Sequence, residues 1–319
     1  MPKVNKALRN KTLDREISEN DVYLARCKTA QNIADGDSVR NVTVCGDIED
    51  ILPALPKERF DLVIADPPYN LYKNFHGESF AKMPTEDYAE YTRSWLGMVA
   101  PLLREGGSIY VCCDWQSSMV IGRVLEEFFT VQNRITWQRE KGRGAQYNWK
   151  NGLEDIWFAT KGSDYKFNLD KVKIRRKVLA TYKENGVAKD WERTDDGAYR
   201  DTCPSNFWDD ITVPFWSMPE NTAHPTQKPE KLIAKLILAS SDEGDMILDP
   251  FLGSGTTSVV AKKLGRCYVG IEKNPKYCSW AEERLERAET DKRIQGYDGE
   301  RFYERHSAID KKDKNKNNQ

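Results

Sequence analysis

The chain is poor in histidine, with three in 319 residues, and its seven cysteines include no Cys-x-x-Cys pair. These scarcities argue against a structural zinc site and against a disulfide framework, and no bound metal is expected. No apolar run reaches the ~18 residues that a membrane span needs. Met1–Asn10 is basic with no apolar segment behind it, so no signal peptide is expected and the cytoplasm is the expected location. A Walker-type phosphate loop and a Gly-x-Gly-x-x-Gly dinucleotide turn are both missing. Net charge is only −1, which by itself points to no partner.

What is present is a globular balance of 39% hydrophobic and 31% charged residues, enough for one large domain or a core with an inserted lobe. Charge is unevenly spread. Val131–Arg200 holds 16 Lys and Arg against 10 Asp and Glu, in a chain that is otherwise acidic. Such a segment suits phosphates, and equally a solvated lysine-rich face.

The apolar pattern alternates between strand and helix. Strands are expected at Val42–Cys45, Asp61–Ala65, Ser108–Cys113, Val131–Trp137, Asp155–Thr160, Met246–Asp249 and Tyr268–Ile271. Amphipathic helices are expected at Thr85–Leu103, with Thr85 as cap, and at Ser117–Phe129, Lys228–Ser240, Thr256–Leu264 and Pro275–Glu289. This order predicts an α/β fold around a mostly parallel sheet. Residues 1–40 read as an extension. Residues 162–220 lack a clear period and read as a separate lobe, with Trp208, Phe215 and Trp216 as its small core. Residues 291–319 read as a charged, disordered tail.

Asp249-Pro250-Phe251-Leu252-Gly253-Ser254-Gly255-Thr256-Thr257 follows a strand and opens a helix. Its glycines permit a sharp turn and close approach to a ligand. About twenty residues on, the next strand ends in Glu272, placed to bond the hydroxyls of a ribose. With no phosphate-binding lysine in the turn, the ligand reads as a nucleoside without a polyphosphate.

Asp66-Pro67-Pro68-Tyr69-Asn70 also follows a strand. It could be a structural turn. Chemically it offers more. An amino group on a base is a poor nucleophile, because its lone pair is delocalised into the ring. Acceptors on its two hydrogens localise that pair. Asp66 supplies a carboxylate and Pro67 a rigidly aimed carbonyl. Tyr69 offers a flat face for an extruded base.

The segment resembles the catalytic motif of the DNA amino-methyltransferases, which methylate N6 of adenine or N4 of cytosine. The glycine turn resembles their cofactor motif. His224-Pro225-Thr226-Gln227-Lys228-Pro229 is similar to the segment lining the methionine end of S-adenosylmethionine, and Gly46-Asp47 to the element that meets its adenine. Catalytic motif first and cofactor motif last is the permuted order of the β class.

The resemblance implies a class I, Rossmann-like fold, with a seven-stranded sheet and one antiparallel strand at its edge. It implies a cofactor site of Asp47, Asp66, His224, Thr226, Lys228, Asp249, Pro250, Phe251, Gly253, Ser254, Gly255, Thr256 and Glu272, and a catalytic segment of Asp66, Pro67, Pro68 and Tyr69. Asp at the first motif position is like the adenine enzymes. N4 of cytosine, an RNA or protein amide nitrogen, and a DNA-binding subunit without catalysis remain alternatives. Residues 41–161 would form the catalytic part and 221–290 the cofactor part, with target recognition in 162–220. Duplex DNA is the expected partner, with a homodimer and a cognate restriction endonuclease as further candidates. Arg139, Lys141, Arg143, Tyr147, Lys173, Arg175 and Arg176 are the candidate DNA contacts, alongside the bland reading of a solvated surface.

Overall fold

In the computed structural model the described residues are 9–18, 20–34, 38–75, 78–139, 147–178, 183–188, 190–195 and 197–304. The apolar runs form a central sheet of eight strands: β1 (Val42–Cys45), β2 (Phe60–Ala65), β3 (Leu103–Cys113), β4 (Thr130–Gln138), β5 (Leu153–Thr160), β6 (Phe207–Trp208), β7 (Met246–Asp249) and β8 (Cys267–Glu272). Their spatial order is β1-β8-β7-β2-β3-β5-β4-β6. All neighbours are parallel except β5, which runs against both β3 and β4. Two details differ from the expected pattern. The short β6 adds an eighth strand beyond β4, so the antiparallel strand lies inside the sheet and not at its edge. Gly106-Gly107 does not precede β3 but lies within it. The pairing with β2 jumps from Phe60–Leu103 to Leu62–Ser108, which absorbs the glycines as an irregularity.

Five helices flank the sheet: α1 (Thr85–Val99), α2 (Trp115–Leu125), α3 (Glu230–Ser240), α4 (Thr256–Lys263) and α5 (Pro275–Thr290). Thr85 is the first residue of α1 and Pro84 its cap. α2 starts at Trp115 because the Asp114 carboxylate accepts from the Gln116 and Ser117 amides. One apolar core packs α1 and α2 on one face of the sheet, and a second packs α3 and α4 on the other. Among the described residues no helix is long and apolar enough to cross a membrane.

The edges of the expected domains are more structured than composition suggests. The described part of the N-terminal extension is strapped to the body: Leu13 bonds Asn221 and Ala223 through the backbone, and Arg15 pairs with Asp21 and Glu283. The segment taken for a tail is ordered as far as it is described. Tyr297–Asp298 and Arg301–Tyr303 form a hairpin whose Phe302 is wholly buried beside Ile174, in a small five-stranded sheet with Ile174–Lys177, Glu192–Thr194 and Gly197–Thr202. Lys311–Gln319 lies outside the described residues. Trp208 joins the main core and Trp216 is exposed, so the expected aromatic core of the lobe does not form.

The small sheet covers the outer side of α3, so that helix is buried all round and not on one stripe. Its lysines therefore need internal partners. Lys231 and Lys235 each place Nζ 2.8 Å from Asp210. Burial would raise the Asp210 carboxyl, but Lys235 and Lys231 more than offset it and hold it at about 2. Burial pushes the Lys235 ammonium down to about 8. Removing Asp210 strands two buried cations. Asp210→Ala should cost ~3–5 kcal/mol in urea unfolding, and a loss under about 1 kcal/mol would show that the lysines find other partners.

Candidate active site

The parallel strands β1, β8, β7 and β2 end on the same side of the sheet, where a doubly wound fold binds its ligand. A cavity of about 350 Å³ opens there. Its wall draws on the ends of all four strands, with Gly46 and Asp47, Glu272, Asp249–Ser254 and Asp66–Tyr69, and on His224 and Thr226–Lys228 from the approach to α3.

The glycine turn is built by its own backbone. Asp249 ends β7, and its carboxylate accepts from the Phe251 amide at 2.9 Å. Burial pushes that carboxyl up to about 7. Gly253 sits at φ +55°, and a Cβ there would come 3.1 Å from His224 Nε2. Gly255 has a different task from the one expected. It is not on the cavity wall. Its φ is +89°, and a Cβ would collide with Ala281 at 2.6 Å, so it lets α4 start against α5. Glu272 closes the floor, accepting from Gly253 N at 2.9 Å and Asn274 N at 2.8 Å. Asp47 caps the short helix Ile48–Ile51, directly after Gly46, whose amide bonds the Glu272 carbonyl at 3.0 Å. His224 meets Tyr277 edge-on at 4.5 Å, and the Thr226 amide reaches His224 Nδ1 at 3.4 Å.

These residues fit S-adenosylmethionine. The volume suits a nucleoside-sized ligand, apolar wall is supplied by Ile48, Phe251 and Leu252, and the Ser254 hydroxyl on the wall is buried with no hydrogen-bond partner among the described residues. An unpaired buried hydroxyl is costly unless a ligand completes it.

Asp66 stands at the first position past β2, and the segment behind it is pinned. Asn70 exchanges two hydrogen bonds with the Met83 backbone and donates its amide to Ser117 Oγ at 3.0 Å. The Tyr88 hydroxyl holds the Pro68 carbonyl at 3.0 Å. The Pro67 carbonyl takes no hydrogen bond from the described residues, so it keeps acceptor capacity beside Asp66.

The Asp66 carboxylate is already engaged. Oδ1 accepts from the Tyr69 hydroxyl at 2.9 Å, and Oδ2 from Lys228 Nζ at 2.6 Å. Lys228 also reaches the Tyr69 hydroxyl at 3.0 Å. Burial by itself would lower the Lys228 ammonium, but the Asp66 and Glu154 carboxylates outweigh it and its pKa lies above the ordinary lysine value. Burial, followed by the Asp66 and Glu154 charges, pushes the Tyr69 phenol well up. Lys228 is thus placed between the expected cofactor site and the expected catalytic site.

Glu154 completes this cluster and is the residue that sequence reading missed. It is 5% exposed, ion-paired with Arg139, and its Oε2 lies 3.4 Å from the Tyr69 hydroxyl and 3.5 Å from Lys228 Nζ. The available signal was an acidic pair, Glu154-Asp155, opening an apolar strand, which demands internal partners.

The candidate DNA contacts divide. Arg139 lies near the site but is bound to Glu154, with its guanidinium 5.8 Å from the Trp137 ring. Tyr147 is 97% exposed. Lys141 and Arg143 lie outside the described residues. Lys173 pairs with Asp170 and Arg176 with Glu304, both near the surface. Arg175 is corrected: it is 7% exposed and paired with Glu192 and Asp201 inside the small sheet, where it cannot meet a phosphate.

Comparison with known proteins agrees with this geometry. The family model described as DNA methylase matches residues 60–283. The type II methyltransferase M.HpaI of Haemophilus parainfluenzae is 33% identical over 246 residues, 76% of this chain and 73% of that protein. The DNA adenine methyltransferase YhdJ of Escherichia coli K12 is 34% identical over 245 residues, 76% of this chain and 81% of that protein. The crystal structure of the M1.HpyAVI–SAM complex superposes with a TM-score of 0.53 at 24% identity, covering 76% of this chain and 98% of that one. By the matched span and these relatives the chain belongs to the DNA methylase family and is an S-adenosylmethionine-dependent DNA methyltransferase.

Proposed function

We propose that this enzyme methylates N6 of adenine in duplex DNA, on a base drawn out of the stack into the mouth of the cavity. The observation that carries the reading is the pairing of two acceptors, the Asp66 carboxylate and the Pro67 carbonyl, at the rim of a cavity whose floor is Glu272 and the glycine turn. The two acceptors take the two amino hydrogens and turn the nitrogen lone pair toward the cavity. S-adenosylmethionine supplies there an electrophilic methyl on its sulfonium. Asp249–Ser254, Thr256 and Glu272 would hold its nucleoside with Asp47, and His224, Thr226 and Lys228 its methionine end. Tyr69 packs on the extruded base. An aspartate at the first motif position and a relative named as an adenine enzyme favour adenine over cytosine.

The cysteines favour the same chemistry. Methylation of a ring carbon needs a thiolate nucleophile. Cys112, on the cavity wall, is fully buried and burial pushes its thiol well up, which keeps it protonated. Residues 162–220 are proposed to hold most of the sequence readout. A homodimer, a cognate restriction endonuclease and a cytoplasmic location belong to the same proposal, on the strength of the family and the sequence.

Mass spectrometry of nucleosides from DNA treated with the enzyme should show N6-methyladenine, whereas N4-methylcytosine alone would overturn the base assignment. Asp66→Ala should lower the single-turnover rate by about 100-fold or more, with S-adenosylmethionine still bound in calorimetry. Turnover retained at the wild-type rate would remove Asp66 from the chemistry.

Asp249 gives a pH test. Its folded value of about 7 lies above the ~4 of an unfolded aspartate, so the folded state holds a proton that the unfolded chain has released. At this site stability is therefore lost as pH rises between those values. Asp249→Asn keeps the neutral form at every pH. Its melting temperature relative to wild type should become more favourable from about pH 5 to about pH 8. A difference that is flat with pH would mean that Asp249 is ionised throughout.

A further inference from the structure

The mechanism asks Asp66 to accept a hydrogen from the target amino group, yet both its oxygens are occupied, one by the Tyr69 hydroxyl and one by the Lys228 ammonium. The ammonium is the greater obstacle. As the methyl arrives, the amino nitrogen gains positive charge, and a lysine cation bound to the same carboxylate repels it and weakens the carboxylate as an acceptor. A second acceptor stands ready. Glu154 Oε2 is 3.5 Å from Lys228 Nζ and 3.4 Å from the Tyr69 hydroxyl, so a small swing of the lysine exchanges one carboxylate for the other. The backbone beneath Lys228 need not move, because Pro229 fixes it at the start of α3. Arg139 occupies Oε1 of the buried Glu154, which leaves Oε2 facing Lys228 and Tyr69.

We propose that Glu154 is a positioning residue that takes Lys228 from Asp66 when the target base enters, and so releases Asp66 for catalysis. Glu154 lies off the wall of the cofactor cavity and meets the groups assigned to S-adenosylmethionine only through Lys228, whose resting place is on Asp66. The inference rests on the proposed roles of Asp66 and Pro67, and is independent of which base is methylated.

The test is single-turnover methyl transfer to DNA at saturating S-adenosylmethionine and DNA, for wild type, Glu154→Gln, Lys228→Met and the double variant, with nucleoside mass spectrometry of the wild-type product. Glu154→Gln leaves Lys228 no carboxylate other than Asp66. It should slow the step by about tenfold or more, with the cofactor Kd within about twofold of wild type. In the Lys228→Met background there is no cation to remove, so adding Glu154→Gln should change the rate less than about twofold. A merely structural role for Glu154 would slow both backgrounds equally, and that result overturns the proposal, as does a Glu154→Gln rate equal to wild type. Should Glu154→Gln fail to fold, Glu154→Asp takes its place, with a smaller loss that vanishes in the same background. A wild-type product of N4-methylcytosine would overturn the adenine reading and leave this comparison standing.

Discussion

The 2.6 Å contact between the Lys228 ammonium and the Asp66 carboxylate joins parts of the chain 162 residues apart, and the rest of the site is arranged around it. Asp66 ends β2. Lys228 precedes α3, the helix that packs beneath the sheet. Fixing one against the other sets how the catalytic segment faces the glycine turn, since that turn follows the strand next to β2. A buried lysine is tolerable only where carboxylates enclose it. Here two do, and Tyr69 supplies a third polar contact. Arg139 balances the second carboxylate, so two cations and two anions form one neutral cluster at the edge of the cavity.

A similar economy governs α3. It is covered by the sheet on one side and by the small sheet on the other, so none of its polar residues can reach open water. Lys231 and Lys235 converge on Asp210, Glu230 pairs with Lys263 and Arg284, and the Trp208 and Phe302 rings stand 4.7 and 5.7 Å from Lys235 Nζ. Such contacts fix one arrangement of groups more than they add net stability. They tie the lobe between β5 and α3 to the same helix whose start carries Lys228. The lobe proposed for target recognition and the Asp66–Lys228 cluster thereby share one rigid element.

Much of this was legible because the informative chemistry is local. A buried strand, a proline-fixed turn and an amide or carboxylate at its tip need few residues, so Asp66–Tyr69 and Asp249–Thr257 could be read directly, as could the five helices to within a few residues. What escaped depends on distant neighbours. Arg175 and Arg176 sit in one basic run, but strand geometry sends Arg175 inward to Asp201 and Glu192 and Arg176 outward to Glu304. Phe302 is one apolar residue in a charged stretch, with no period to announce it, and only the edge offered by Ile174–Lys177 makes its hairpin a strand pair. The placing of Glu154 was illegible for the same reason. It needs β5 to run antiparallel, which brings its first residues level with Trp137 at the far end of β4 and beside the lysine before α3.

The permuted order of motifs follows from the sheet and costs the site nothing. Every parallel strand delivers its carboxyl end to the same side, whatever its place in the chain. β7 and β8 come last in sequence yet lie between β1 and β2, so the glycine turn and the Asp66–Tyr69 segment are neighbours in either order. What the order does decide is where the chain can be interrupted. Between β5 and β7 the chain passes through β6 at the edge of the sheet and returns to its middle, and residues 162–220 occupy most of that path. A lobe inserted there can vary in length and charge without disturbing β2 or β7. Its return, through the turn that Glu220 and Gln227 brace against Thr222 and Glu230, sets Lys228 on Asp66. The one strand that breaks the parallel pattern, β5, supplies Glu154 at its first turn into the sheet. The antiparallel strand therefore puts a carboxylate where a parallel strand would have put its opposite end, and sets a second carboxylate beside Lys228.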